Sequence, residues 1–242
     1  MSRRLVIGDI HGGLLGLKQV LKRCALKAND HLIFLGDYVD GWSQSSEVII
    51  YLIELQKTYK CDFVIGNHDL WCLDWLKGKG QNEIWLMHGG KGTVVSYKNI
   101  SEEEKEKHIA FFESMKDYIV DDHKRLFVHA GFTSMHGPHK EHYRSNYSWD
   151  RTLWEMAMAC HGRISEDDPV YPKRLRLFSE IYIGHTPTTE WSISHPWNRT
   201  NVWNIDTGAA FKGKVSVLDI NSKEFWQSDT LISLYPNEKG RN

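Results

Sequence analysis

A chain of 242 residues, with 30 Lys and Arg against 31 Asp and Glu, has a formal net charge of −1 and so lacks the excess positive charge that nucleic-acid duplexes attract. A chain this long buries about three quarters of its unfolded surface, so it needs neither disulfides nor a structural metal to fold. No apolar run approaches the roughly 18 residues of a membrane span, and Cys24, Cys61, Cys72 and Cys160 form no CxxC pair.

In chain order, Arg4–Gly8 is an apolar run ending in Gly-Asp, a buried strand entering a loop. Residues 13–27 carry Leu14, Leu17, Val20, Leu21 and Cys24 at helical spacing. Leu32–Leu35 is a second strand ending in Gly-Asp, and Ser45–Tyr59 a second amphipathic helix. Asp62–Ile65 is a third strand, followed by Gly66-Asn67. Alternating strands and helices predict parallel neighbours with crossover helices. Ser101 opens a helix to about Tyr118, with Glu104 at capping-box spacing. Leu126–Val128 leads into His129-Ala130-Gly131, and Ile181–Ile183 into Gly184-His185-Thr186. Residues 132–180 are polar and aromatic, with a helix over Thr152–Cys160. Further strands are expected at 202–205, 215–220 and 224–227. With no repeat and no linker, a single domain over 1–242 is expected. The chain enters its first strand at once, without a secretory leader, so a cytoplasmic protein with reduced thiols is expected.

The strand ends share one property. Asp9 and His11, Asp37 and Asp40, Asn67, His68 and Asp69, His129, and His185 each follow a predicted strand, where open α/β sheets keep their ligand sites. Singly, each is ordinary: Gly-Asp is common turn chemistry, and a lone histidine is commonly a satisfied core residue. Together, so many ionisable groups would repel or stay unpaired without a cation, and they exceed the four ligands of a structural zinc. The mixture of oxygen and imidazole donors suits Mn, Fe, Zn or Co better than Ca or Mg. Two metals sharing a bridging carboxylate would absorb most of them.

Gly8-Asp-Ile-His-Gly12, Gly36-Asp-Tyr-Val-Asp40, Gly66-Asn-His-Asp69, His129-Ala-Gly131 and Gly184-His-Thr186 resemble the calcineurin-like metallophosphoesterase superfamily. They are most similar to its phosphoprotein phosphatase branch, which holds bacterial and phage serine/threonine phosphatases and symmetrical diadenosine tetraphosphate hydrolases. Ile205-Asp206-Thr207-Gly208-Ala209 resembles a further segment of that branch. The resemblance implies an α/β fold, a central β-sandwich of mixed sheets flanked by helices, with the metal site at the carboxyl ends of the strands. By position it implies Asp9 and His11 on a first metal, Asp37 bridging, and Asn67, His129 and His185 on a second. Manganese is the leading expectation, with iron or zinc as alternatives. The attacking group would be a hydroxide between the metals, with His68 as general acid and Asp40 as its orienting partner. A carboxylate beside an imidazole favours the imidazolium.

Two arginines common in that branch are missing, since Gly41 follows Asp40 and Ile65 precedes Gly66. Arg151 is the expected phosphate-binding residue, with Arg144 as its alternative. Trp42, Trp71, Trp149 and Trp154 stand near these motifs and could stack a ring or fill the core. His136, His139 and His142 could bind another metal, or be solvated loop residues. The expected activity is metal-dependent hydrolysis of phosphomonoesters, as phosphorylated protein or small phosphate esters. Dinucleoside polyphosphate hydrolysis is the alternative, and an inactive metal-binding interaction module the alternative of another class. No membrane or nucleic-acid-duplex partner is expected.

Overall fold

In the computed structural model, which describes residues 2–241, ten strands form two five-stranded mixed sheets. The first sheet is built on β1 (Arg4–Ile7), β2 (His31–Phe34) and β3 (Lys60–Phe63). These run parallel, pairing Val6 with Ile33 and Phe34 with Phe63. The crossovers are α1 (Leu14–Arg23) and α2 (Ser45–Leu55). The second sheet is built on β4 (Tyr118–Val120), β5 (Arg125–Val128), β6 (Glu180–Ile183), β7 (Trp197–Arg199) and β8 (Val202–Asn204). Here β5, β6 and β8 are parallel, with β4 and β7 antiparallel at the edges. The chain then returns to the first sheet, where β9 (Ser216–Asp219) pairs antiparallel with β1, and β10 (Phe225–Gln227) with β9.

The apolar runs of the sequence have a simple cause. Successive residues of a strand face opposite ways, and here both faces are covered. Leu5 and Ile7 point into the core under α1 and α2, with Leu17, Val20, Val48, Ile49 and Leu52. Val6, Ile33, Phe127, Tyr182 and Leu218 point into a core between the sheets. Leu126, Val128, Ile181 and Ile183 meet Leu153, Trp154 and Ala157 on the outer side of the second sheet. Strands buried on both faces read as unbroken apolar segments, as the sequence does.

Several elements differ from expectation. α1 stops at Arg23 because Ala25 turns left-handed (φ 46°). Ser101 does cap its helix, its Oγ accepting from Glu104 N–H at 3.2 Å. That helix ends at Ser114, so Tyr118 begins β4, an edge strand with no alternation strong enough to mark it in three residues. The third strand ends at Phe63, not Ile65, and Asn67–Leu76 forms a helix, α3, directly after Gly66.

Candidate active site

Each parallel strand ends beside the same space. Asp9 follows β1, Asp37 and Asp40 follow β2, and Asn67 opens α3 after β3; His129 follows β5 and His185 follows β6. All of these, with His11 and His68, are buried. Asp37 Oδ2 lies between two imidazoles, 3.5 Å from His11 Nε2 and 3.4 Å from His129 Nε2. Asp9 Oδ2 stands 3.7 Å from His11 Nε2. Asn67 Oδ1 lies 3.2 Å from His129 Nε2 and 3.0 Å from His185 Nδ1. The donors fall into two groups that share Asp37: His11, Asp37 and His68, and Asp37, His129 and His185, with ligand atoms inside 4.8 Å of one another.

The backbone works to hold this arrangement. His11, Asp37, Asp40 and His185 all have left-handed φ, at 53°, 54°, 72° and 69°. Such conformations cost a non-glycine residue energy and persist where the surroundings over-determine them. Two glycines admit the carboxylates. A Cβ on Gly66 would stand 2.1 Å from Asp37 Oδ1, and one on Gly184 2.1 Å from Asp9 Oδ1. Asp69, at the first turn of α3, ties two segments together: its carboxylate accepts from the N–H groups of Asp37 (2.7 Å), Tyr38 (2.8 Å) and Gly66 (2.8 Å).

The imidazoles are oriented as ligands require. His11 Nδ1 donates to the carbonyls of Val39 (3.2 Å) and Asp40 (3.1 Å), and His129 Nδ1 to that of Leu35 (2.8 Å). Each therefore presents its Nε2 to Asp37, the ring orientation metal-binding histidines adopt. His185 Nε2 is buried without a partner, an expensive state unless something binds there. Among the described residues no lysine or arginine pairs with the site carboxylates, whose charged partners are the site imidazoles. Burial pushes Asp9 up to about 7 against the pull of His129. Burial pushes Asp69 to about 8, reinforced by Asp37, and Asp206 to about 8, reinforced by Asp9. Asp37 is pushed up by burial but held well below the usual range by His129, His68 and His11. Such a donor set fits divalent cations.

His68 differs from its neighbours. Its Nδ1 meets a carboxylate, Asp40 Oδ2, at 2.6 Å. Asp40 is itself gripped by Trp85 Nε1 at 2.7 Å and by Thr93 Oγ1 at 2.6 Å. Asp40 and Asp37 do favour the imidazolium, but burial outweighs them and His68 lies below its ordinary value.

Beside the donors opens a cavity of about 170 Å³ lined by His68, Trp71, Ile84, Trp149, Arg151 and Arg241, among others. Arg151 thus reaches the site, with Nη1 donating to Thr186 Oγ1 at 3.1 Å. Arg144 does not: it pairs with Asp117 at 2.9 Å beside a separate pocket. Of the tryptophans, Trp71 and Trp149 line the cavity with rings 5.0 Å apart. Trp42 and Trp154 are core residues. His136, His139 and His142 are exposed and join neither donor group.

Sequence reasoning missed four residues. Asp69 was seen only as part of a motif, and Asp206 follows β8, one more parallel strand end. Trp85 and Thr93 carry no local signal, because the segment that brings them to Asp40 is an irregular run of helices over residues 83–96.

The chain belongs to the calcineurin-like phosphoesterases, whose family model matches residues 2–204. It is a metal-dependent phosphoester hydrolase. The asymmetrical bis(5'-nucleosyl)-tetraphosphatase PrpE of Bacillus cereus is 28% identical over 96% of each chain. Serine/threonine-protein phosphatase 1 of Salmonella typhimurium is 27% identical over 89% of this chain and 90% of that one. The fold is shared with a protein serine/threonine phosphatase of Saccharomyces cerevisiae, at TM-score 0.62 and 13% identity over 94% and 80% of the two chains. It is also shared with the cold-active protein-tyrosine phosphatase of a Shewanella species, at TM-score 0.56 and 15% identity over 96% and 80%.

Proposed function

We propose that the protein is a phosphomonoesterase with a dinuclear centre, acting on phosphorylated protein or small phosphate esters. The observation that carries this reading is the position of Asp37, shared by two donor groups whose imidazoles turn toward it. Asp9 and His11 would hold one cation, Asn67, His129 and His185 the other, with Asp37 between them; manganese is the leading choice. When bound, the two cations supply Lewis acidity and lower the pKa of water.

The chain's own groups do the rest. Arg151 binds the substrate phosphate at the cavity wall, where a planar guanidinium can meet two oxygens. His68 would give a proton from Nε2 to the leaving oxygen in its imidazolium form, which Asp37 and Asp40 favour against burial, while Asp40 fixes the ring through Nδ1. Dinucleoside polyphosphate hydrolysis is the second reading, supported by Trp71 and Trp149, two aromatic residues lining the cavity where a nucleobase could pack. The described residues include no helix long and apolar enough to cross a membrane. Cytoplasmic location is our inference from four free cysteines.

The test is an assay of manganese-loaded protein on p-nitrophenyl phosphate, phosphoserine and phosphotyrosine peptides, and diadenosine tetraphosphate, run with wild type and His68→Asn. A phosphomonoesterase should turn over the peptides. His68→Asn should slow the phosphoserine peptide, with its poor leaving group, far more than p-nitrophenyl phosphate, with metal content unchanged. Equal losses on both would sink the acid role, and turnover of diadenosine tetraphosphate alone would replace the first reading by the second.

A further inference from the structure

The cavity has two guanidinium groups, and the second comes from a part of the chain that no motif marks. Residues 236–241 cross the molecule next to Gly41 and are pinned there. Ser43 donates through N–H and Oγ to Glu238, at 2.9 and 2.7 Å, and Arg241 N–H donates to the Ala210 carbonyl at 2.9 Å. Gly240, with φ 61°, lets the strap press on Trp42, where a Cβ would stand 2.9 Å from the ring.

The strap delivers one side chain to the site. Gly41 and Gly89 leave a slot for the Arg241 stem: a Cβ on either would meet Arg241 Cγ, at 3.3 and 3.0 Å. The guanidinium lies over the Phe211 ring at 5.3 Å and lines the same cavity as Asp37, His68 and Arg151. Arg241 forms no ion pair with the described residues; its Nε is buried without an acceptor, and its Nη2 meets His88 Nδ1 at 3.4 Å. Among the described residues, the Arg151 guanidinium forms no ion pair and donates to the Thr186 hydroxyl. A fixed cation at a cavity wall with unsatisfied donors suits an anion supplied from outside.

We propose that Arg241 binds substrate phosphate together with Arg151, the strap supplying from a distant segment the guanidinium that Gly41 lacks. The role rests on reading the cavity as the phosphoester site. Two charge-assisted contacts also favour substrates whose phosphate group carries its full charge, so phosphomonoesters should gain more than diesters.

The experiment uses full-length, manganese-loaded protein and inorganic phosphate as the probe, with affinity measured by calorimetry. Arg241→Met keeps the stem that packs against the glycines and removes the charge. It should weaken phosphate binding by about tenfold or more. The KM for p-nitrophenyl phosphate should rise in parallel, while metal content and Tm hold. Arg241→Lys should recover part of the loss, and Arg144→Met, away from the cavity, should bind phosphate as wild type does. Phosphate affinity within twofold of wild type in Arg241→Met overturns the proposal, as does an equal loss in Arg144→Met. The two readings fail separately. Arg241-dependent phosphate binding in a protein that hydrolyses no ester keeps this role and removes the proposed function. Ester turnover with Arg241-independent binding does the reverse.

Discussion

The two sheets contribute unlike groups to one site. The first supplies Asp9, Asp37 and Asp40 together with His11, Asn67 and His68, all within one stretch of β-α-β-α-β-α chain. The second supplies His129, His185 and Asp206 from the ends of β5, β6 and β8, and Arg151 from the segment between β5 and β6. Their means of support differ as well. The first half is cross-braced, with Asp69 bonding to two backbone segments and Asp40 held by Trp85 and Thr93. The second half is held by contacts to the first: His129 Nδ1 bonds the Leu35 carbonyl, and His185 N–H reaches Asp9 at 3.2 Å. Asp37, the donor that both groups share, belongs to the first half, so the site depends on that half more than on the second.

If so, substitutions in the two halves should differ in kind. Asp37→Asn removes the carboxylate that both donor groups share, so it should lower metal content toward zero and kcat/KM by roughly a thousandfold or more, beyond the 10–100-fold typical of supporting residues. His185→Asn removes one ligand of one group and should leave about half the metal by elemental analysis. Equal metal loss in the two variants would break the comparison. A smaller effect is expected from Trp85→Phe, which deletes a donor to the buried Asp40 carboxylate. It should lower kcat by about tenfold, since a hydrogen bond to a charged group is worth roughly 1.5–3 kcal/mol. Metal content should not change, and a drop in bound metal would mean that Asp40 supports the ligands instead of His68.

The strand-end donors of both halves are legible in the sequence, and the groups that support them are not. Asp9, His11, Asp37, Asp40, Asn67 and His68 lie in the segments that follow β1, β2 and β3, so strand-end reasoning finds them. His129 and His185 were found by the same rule. Asp206 was passed over, although it too follows a strand, because it stands outside the set of metal donors that the resemblance implied. Trp85, Thr93 and Arg241 could not be read at all. They reach the site through tertiary packing of irregular segments, and Gly41 and Gly89 show their purpose only once the Arg241 stem is seen between them. Short edge strands such as β4 and β7, three residues each, are likewise too brief for period-2 alternation to emerge.

One further difference separates the halves. Five described histidines are buried; four belong to the site, and the fifth, His108, sits in the helix layer over the first sheet. Its Nδ1 faces Tyr97 Oη at 2.8 Å, its Nε2 has no hydrogen-bond partner, and burial pushes it down to about 4 in spite of Glu104. An unfolded histidine titrates near 6.5. Between that value and about 4 the unfolded chain binds a proton that the folded chain refuses, so stability falls as pH drops through this window and levels off below it. Above the window the contribution is fully present. The expected loss is roughly 2 kcal/mol after allowing for solvent screening. His108→Phe keeps a ring in place and should flatten this part of the stability curve, measured by urea unfolding of metal-free protein from pH 7 to 4. The slope left in the variant belongs to the other groups that titrate in this range, the buried site histidines and carboxylates among them. If the variant is as acid-sensitive as wild type, the first half's weakness in acid lies in the metal donors and not in its helix layer.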